Sequence, residues 1–224
     1  MDMNPKTVFD FDFFGHTIDV TSSIVTQWFF MAVIIVLVLL VTRNIGKMPS
    51  KRQSVLEMVV TAIAGLVDSN MGKEYKKFFV LYIGSMGIFM FFLNTSGLIG
   101  IVPSTMDINV TAAFALMTFF LINGNAIREN GVKGYLHGYL QPFAPMLVMN
   151  VIEKVTIPLS LTLRLFINMV VGTIILELVY HGLGHLAFLI PVPLHFFFDL
   201  FVGVIQTFVF MMLTMVYVKT AAAE

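Results

Sequence analysis

The sequence predicts an all-α integral membrane protein, and three observations indicate this fold class. Of the 224 residues, 58% are apolar, and the mean hydropathy is +0.91. Only 12% are charged, about half the share usual in soluble domains, which is too few to cover a soluble surface. Several uncharged stretches reach the roughly 20 residues that a helix needs to cross a bilayer. We expect one membrane domain over 1–224, with about five transmembrane helices and one amphipathic interfacial helix.

The charge and cysteine content exclude several function classes. Thirteen basic and thirteen acidic residues give a net charge of zero, which provides no general attraction for nucleic acid. The absence of cysteine excludes disulfides, thiolate metal sites and a cysteine nucleophile. The sequence contains neither a nucleotide-binding glycine motif nor an HExxH zinc motif, so we expect no cofactor and no metal.

The first third of the chain contains one predicted span and one predicted surface helix. Residues 1–23 carry four aspartates and one lysine, the opposite of a signal peptide, and are predicted to be an outer N-terminal segment. An uncharged apolar run predicts the first span at 24–42. A basic stretch follows, and 54–68 then shows helical apolar spacing interrupted by Glu57 and Asp68. This pattern predicts an amphipathic helix at the membrane interface.

Four further spans follow. Small residues within an apolar run predict a second span at 78–100 that a neighbouring helix can approach closely. A third span is predicted at 109–127. Prolines and glycines between 182 and 193 divide the remaining apolar sequence into two helices, 146–180 and 192–218. These last two helices are expected to form a long hairpin that can tilt in the membrane.

Lysine and arginine in the short loops predict the orientation. Ten of them fall on one side of the predicted membrane, whereas the other side has only Lys6. Because basic loops stay on the inner side, the N-terminus should lie outside and the C-terminus inside. Five spans, being an odd number, also place the two termini on opposite sides of the membrane.

Several ionisable and amide side chains lie within the last two predicted helices. A charge at mid-membrane costs about 2.5–3.5 kcal/mol, so each needs a partner, water or a function. They are Glu153, Lys154, Arg164, Asn168, Glu177, Asp199 and Gln206.

Arg164 is the most informative of these residues, because its guanidinium cannot lose its charge. Glu177 is 13 residues away, about 20 Å along a continuous helix. If the hairpin turns near residue 185, Gln206 lies opposite Arg164, and among the acids only Asp199 could come near. Pairing within the chain stays open, but the sequence leaves Arg164 available to a carboxylate of another chain.

Two polar stripes occur toward the outer ends of the last two helices. They comprise Thr173, Glu177, His181 and His185 on one helix, and His195, Asp199, Gly203 and Gln206 on the next. The spacing of three or four places each set on one helix face. Together they would line a wet path for protons from the outer face to mid-membrane. Alternatively, His181 and His185 simply lie at the level of the lipid headgroups.

Three segments resemble subunit a of the F-type, rotary ATP synthase. PLSLTLRLFINMVVG at 158–172 is similar to the family's PLSLxLRLFxNxxxG. VPSTMDINVT at 102–111 resembles its PSxDxNxT segment, and GVIQTFVFMMLTMVYV at 203–218 resembles its ending. The matches stand in the right order, and the resemblance covers nearly the whole chain.

The resemblance implies a non-catalytic stator subunit that provides two ion half-channels. It would couple the translocation of H⁺ or Na⁺ to ring rotation and ATP synthesis. Arg164 would face the carboxylate of the c-subunit ring, accompanied by Asn168 and Gln206. The residues predicted for ion translocation are Arg164, Asn168, Gln206, Glu177, Asp199, His195, His181, Thr173, Ser160, Glu153, Asn94 and Asp107.

The resemblance also assigns positions along the path and names partners. Asn94, Asp107 and Asn109 would lie near the outer half-channel, and Glu153 near the inner one. The implied partners are the c-ring, the b-subunit stalk, other ATP synthase subunits and the lipid bilayer. The implied location is the bacterial plasma membrane, with the N-terminus outside and the C-terminus in the cytoplasm.

The sequence departs from the family pattern at three positions. Thr173 stands where many members have glutamate, Asp199 where many have histidine, and Ile167 where the family has glycine. The outer carboxylate has therefore moved, either to Glu177 or to Asp199.

Two alternatives belong to other classes. A secondary transporter could use Arg164 to bind an anionic substrate, but it predicts an internal repeat with paired broken helices, which the sequence lacks. A scaffold of a respiratory complex would not require two titratable stripes.

Overall fold

The computed structural model describes residues 7–13, 16–43, 51–72, 76–138, 146–183 and 191–223. Within them the chain forms a short β-hairpin and seven α-helices, with two 3₁₀ turns and one π-helical segment. Five described helices are long and apolar enough to cross a membrane, which confirms the predicted membrane class. They are Ser22–Thr42, Gln53–Met71, Ile108–Tyr135, Leu147–Gly182 and Pro191–Ala222.

The hairpin lies in the segment predicted only as an outer N-terminal extension. Strand β1 (Thr7–Phe13) pairs antiparallel with β2 (His16–Thr21). The sequence TVFDFDF alternates apolar and acidic residues, which is the period of a strand with two unlike faces. Hydropathy averaged over a long window does not detect this alternation.

Helices α1 (Ser22–Thr42), α2 (Lys51–Met71) and α3 (Lys76–Asn94) follow. Helix α2 is long and apolar enough to span a membrane, whereas the apolar helix Phe78–Asn94 is shorter than 18 residues. The interfacial position of α2 stays a prediction. Helix α3 ends at Asn94, earlier than the predicted span, and the chain continues as a 3₁₀ turn that ends at Gly100, where the backbone has a positive φ of 75°.

Helix α4 (Ile108–Gly138) is longer than the predicted span 109–127. The predicted span followed the apolar residues only, whereas the helix continues beyond them through polar residues. At Gly131 the backbone has φ 69° and ψ 164°, which breaks the helix into two parts. Between α3 and α4 the chain forms two 3₁₀ turns, Ser96–Ile99 and Ser104–Met106.

Helix α5 (Met146–Leu183) has 38 residues and contains Pro158. Its buried residues recur at intervals of four, at Ile157, Leu161, Leu165 and Met169. This stripe packs against neighbouring helices, chiefly α4. A helix of this length extends about 57 Å.

The last helix is continuous but changes its winding. Helix α6 (Pro191–His195) leads into a π-helix (Phe196–Val202) and then into α7 (Gly203–Ala223). The sequence predicted one regular helix over 192–218. Residues 184–190, which include His185, lie outside the described residues.

The core lies between α2, α3, α4, α5 and α7. Fully buried side chains from these helices include Val67, Ile83, Leu93, Leu165 and Met215. Helix α4 contacts both α5 and α7, and α3 contacts α2 and α7. Large apolar side chains also cover the outside of α1, as a lipid-facing helix requires.

Candidate functional site

Arg164 lies on the flank of α5, beside the buried stripe, and is exposed. It borders an open groove of about 480 Å³ formed by Thr156, Leu159, Ser160, Leu163, Arg164, Ile167 and Asn168. No residue that the structure describes forms a hydrogen bond or ion pair with its guanidinium. An arginine in the middle of an apolar helix requires a counter-charge, and within the described chain none is supplied.

Asn168 and Gln206 connect α5 to α7. Asn168 Nδ2 donates a hydrogen bond of 2.8 Å to Gln206 Oε1. Gln206 is buried, and its Nε2 has no hydrogen-bond partner within the described residues. The predicted register placed Gln206 opposite Arg164, whereas the hydrogen bond places it at Asn168, one helical turn further. A shift of four residues corresponds to about 6 Å along the helix axis.

Asp199 is paired with a histidine of its own helix and not with Arg164. His195 Nδ1 lies 2.6 Å from Asp199 Oδ2, and His195 Nε2 lies 3.0 Å from the Tyr180 hydroxyl. Helix α5 therefore contributes Tyr180 to this cluster. Tyr180 was not predicted from the sequence, because it lies one position before His181 and so outside the predicted stripe.

Gly97 leaves space for the Asp199 carboxyl group. A Cβ atom at Gly97 would lie 2.6 Å from Asp199 Cγ and 2.8 Å from Oδ1. The 3₁₀ turn Ser96–Ile99 thus packs closely on one side of the buried carboxyl group. The role of Gly97 could not be predicted from the sequence, because it depends on the side chain that glycine lacks.

Asn94 lies at the end of α3 and is fully buried. Its Nδ2 donates a 3.2 Å hydrogen bond to Thr207 Oγ1, while its Oδ1 has no partner among the described residues. Gly203 allows this contact, since a Cβ there would lie 3.3 Å from the Asn94 carbonyl oxygen. Thr207 was missed, although it continues the interval of four from Asp199 and Gly203.

The predicted stripe on the last helix therefore divides between two neighbours. Asp199 and Gly203 face the end of α3 and the turn after it, whereas Gln206 faces α5. Gly203 and Gln206 both belong to α7, and three residues of an α-helix turn through about 300°, so the two positions point about 60° apart. One can therefore face α3 while the other faces α5.

Asp107 forms the N-cap of α4. The Asn109 backbone N–H donates a 3.0 Å hydrogen bond to Asp107 Oδ1, and the Asp107 carbonyl accepts from Val110 and Thr111. Asp107 is buried. Its position is thus explained by helix capping, apart from any role in an ion path.

The remaining predicted residues all lie on α5. The Thr173 hydroxyl donates to the Met169 carbonyl at 3.0 Å. Glu177 Oε1 and His181 Nε2 are 4.0 Å apart, at the outer limit of an ion pair. Ser160 is half-buried in the groove beside Arg164, and Glu153 is exposed. The structure thus arranges these residues along one helix and does not gather them into one cluster.

Comparison with known proteins identifies the family. A family model described as ATP synthase A chain matches residues 24–219. The chain belongs to this family. Members of the ATP synthase A chain family are components of the ATP synthase, so the chain is a multi-pass membrane subunit that works in a complex with other subunits. The membership predicted from sequence is confirmed.

Several curated relatives have similar lengths. ATP synthase subunit a 2 of Bradyrhizobium sp. strain BTAi1 is 33% identical over 206 residues, covering 92% of this chain and 90% of the relative. ATP synthase subunit a of Moorella thermoacetica is 35% identical and covers 90% of each. The sodium ion specific subunit a of Propionigenium modestum is 31% identical over 98% of this chain and 82% of that protein. The ATP synthase A chain family thus includes a relative named for Na⁺.

Proposed function

We propose that the chain is the non-catalytic stator subunit a of a bacterial F-type ATP synthase. It provides two ion half-channels and couples the movement of H⁺ or Na⁺ to rotation of the c-ring and to ATP synthesis. The observation that carries the proposal is that Arg164 is exposed in the groove on α5 and has no hydrogen-bond or ion-pair partner among the described residues. Because the guanidinium stays charged, it requires a carboxylate from another chain.

Arg164 would act on the ring carboxylate through charge alone. An ionised carboxylate is costly in lipid, whereas a neutralised one can pass through it at a smaller penalty. The guanidinium favours the ionised form at the interface between the two chains, so an arriving loaded site releases its ion. Its fixed positive charge also prevents a direct ion leak between the two half-channels.

The outer half-channel would lie near Asp199. Asp199 is buried, while its partner His195 is partly exposed, so the pair connects the surface with the interior. Glu177 and His181 lie on α5 near Tyr180 and would form the outer rim, with Thr173 deeper on the same helix. The two candidate carboxylates of the outer half-channel are Glu177 and Asp199. Because Asp199 is buried, it is favoured as the group that receives the ion deeper in the membrane.

Asn94 and Asp107 would border the outer half-channel from the side of α3 and α4. Asn94 keeps a buried carbonyl oxygen without a partner among the described residues, which a water molecule could satisfy. Asp107 holds the start of α4 in place through its cap. Asn168 and Gln206 fix α5 against α7 one turn from Arg164.

The inner half-channel would run along the exposed flank of α5 from Glu153 to Ser160. Glu153 is 11 residues before Arg164, about 16 Å along the helix. The groove at Ser160 and Arg164 leads toward it. Ions leaving the ring would pass this flank to the cytoplasm.

Partners and location follow from the same proposal. The c-ring would face the α5 groove, the b-subunit stalk would hold the stator, and the apolar outer surfaces would contact lipid. The excess of basic residues on one side supports a cytoplasmic C-terminus and an outer N-terminus in the bacterial plasma membrane. Each charge that crosses supplies about 2.3 kcal/mol per 100 mV, which drives the rotation.

The test replaces Arg164. The variant Arg164→Ala should assemble with the ring but lose ion-driven ATP synthesis in reconstituted vesicles. Arg128→Ala is the control, because Arg128 is also exposed but lies near the polar end of α4. Normal coupled synthesis by Arg164→Ala, or purification without a ring of small subunits, would exclude the stator function. The second outcome would favour a transporter with Arg164 at its substrate site.

A further inference from the structure

A cleft of about 390 Å³ separates the middle of α1 from helices α3 and α4, all three of which contribute to its lining. The rings of Phe89 and Phe114, with centroids 5.9 Å apart, close the cleft toward the core. On its outer side, Met31, Ile35 and Met117 are each about half exposed. The cleft is therefore open toward the surface that meets the membrane lipid.

Helix α1 is held to the rest of the described chain mainly near its first half. Phe30 is its one buried side chain, and the ring packs against Phe92 with centroids 6.4 Å apart. The Ser104 hydroxyl donates a 3.1 Å hydrogen bond to the Ser23 carbonyl. Directly after Phe30, the residues of α1 that point toward α3 line the cleft and leave a gap where side chains would otherwise pack.

The lining of the cleft favours an apolar occupant. An empty gap forfeits the dispersion contacts of the side chains around it, and water enters a cavity only where several polar groups can hydrogen-bond to it. Seven of the nine lining residues carry hydrocarbon or thioether side chains. The other two are Tyr82 and Ser85, and the Ser85 hydroxyl already donates to the Tyr82 carbonyl at 3.1 Å. Water would find few partners here.

The size of the cleft distinguishes a membrane helix from a hydrocarbon chain. One turn of an α-helix, 5.4 Å long and at least 10 Å wide, already occupies about 420 Å³, which is more than the whole cleft. A methylene group takes up about as much space as a water molecule, ~30 Å³, so the cleft holds about thirteen of them. This volume suits the acyl chains of one phospholipid and excludes the insertion of a helix.

Three methionines, one from each helix, line the cleft: Met31 from α1, Met86 from α3 and Met117 from α4. Methionine is unbranched and flexible, so it adapts its shape to an irregular neighbour. A site for a rigid ligand would instead present several fixed polar groups that orient it. The methionines thus fit an occupant that changes its own conformation, as an acyl chain does.

We infer that the cleft binds the acyl chains of a membrane phospholipid, and that this lipid joins α1 to α3 and α4. The site is distinct from the groove beside Arg164 on α5. The inference depends on the membrane position of the helices and not on the stator function. Because lipid tails are as apolar as the lining, the lipid is retained by its fit and not by a hydrophobic gain. It should therefore exchange more slowly than the surrounding lipid.

The experiment places an aliphatic diazirine amino acid at Ile34, inside the cleft, in the complete ATP synthase reconstituted into phospholipid vesicles. The complex is solubilised and washed with detergent, illuminated, and analysed by mass spectrometry. Leu39 is the matched control position, because it lies on the same helix, is 62% exposed and is outside the cleft. We expect a phospholipid adduct that survives washing at position 34 and is lost at position 39.

Three results would overturn the inference. They are loss of the phospholipid adduct at both positions, adducts of detergent alone at position 34, and an adduct of position 34 with another protein subunit. The last result would show that a protein partner covers the cleft. Each of them leaves the stator function untouched, because none concerns ion movement.

Substitutions then assign the bound lipid to the cleft. Met117→Trp should fill the cleft and abolish the retained adduct at position 34. Leu116→Trp is the control, because Leu116 and Met117 are neighbours with similar exposure, 48% and 53%, while Met117 lines the cleft and Leu116 does not. Ser85→Leu narrows the cleft from α3 and should have the same effect if Met117→Trp fails to assemble. An undiminished adduct in an assembled complex with either cleft variant would contradict the site.

Discussion

Asn168 of α5 donates a 2.8 Å hydrogen bond to Gln206 of α7, and this contact sets the register of the two C-terminal helices one turn from Arg164. Hydrogen bonds between helices in a membrane are worth about 0.6 kcal/mol on average, with a maximum near 1.7. A shift of α5 would move Arg164 relative to the rest of the chain. The hydrogen bond between Asn168 and Gln206 therefore helps to fix the position of the Arg164 guanidinium.

The first prediction concerns this pair as a unit. Gln206→Leu leaves the Asn168 amide without its acceptor, so we expect ion-driven ATP synthesis to fall several-fold. The double variant Asn168→Leu with Gln206→Leu should be no worse than the more severe single variant, because both remove the same interaction. Synthesis rates in vesicles and the thermal stability of the purified complex measure the effect. Strictly additive losses would show that the two residues act independently.

A second prediction contrasts two glycines. A Cβ at Gly203 would lie 3.3 Å from Asn94 Cβ and from its carbonyl oxygen, whereas Gly124 has no atom within 4 Å of the corresponding position. Gly203→Ala should therefore destabilise the subunit by about 1–3 kcal/mol through overpacking. Gly124→Ala should stabilise it by about 0.4–1 kcal/mol, since it only restricts the unfolded chain. Thermal denaturation should shift in opposite directions, and equal shifts would contradict the packing described between Gly203 and Asn94.

The third prediction separates capping from charge at Asp107. Loss of the cap in Asp107→Ala should cost about 0.5–2 kcal/mol of stability. Asp107→Asn keeps a side-chain oxygen for the Asn109 N–H, so it should restore both stability and ATP synthesis. If Asp107→Asn is as stable as wild type but cannot synthesise ATP, the carboxylate acts on the ion and not only on the helix.

The positions of the helices could be read from hydropathy to within a few residues where the chain is uniformly apolar. Helix α1 begins and ends close to the predicted 24–42, since nothing but apolar content defines it. Helix α4 was too short in the prediction, because the polar residues after Arg128 stay helical. The pairing of β1 with β2 was not predicted, because hydropathy averaged over a long window does not detect an alternation with a period of two residues.

The candidate site residues could be predicted from their residue types, whereas the contacts that they make could not. Arg164 is conspicuous because a permanent charge is rare in such an apolar stretch, whereas its exposure depends on how α4 and α7 pack. The sequence does not determine the axial register of two neighbouring helices, and a difference of one helical turn moves Gln206 from Arg164 to Asn168. Tyr180 was not predicted because it lies outside the predicted polar stripe of α5.

The length of α5 has a consequence for the geometry of transport. A helix of about 57 Å fits within an apolar layer of roughly 30 Å only if it leans about 58° from the membrane normal. Glu153 and Glu177 are 24 residues apart, about 36 Å along such an axis, of which about 31 Å would lie sideways in the plane of the membrane. The two ion openings would then stand beside each other and not one above the other. In the proposed function, an ion that enters at one opening would have to travel laterally to reach the other, and rotation of the c-ring would provide that lateral movement.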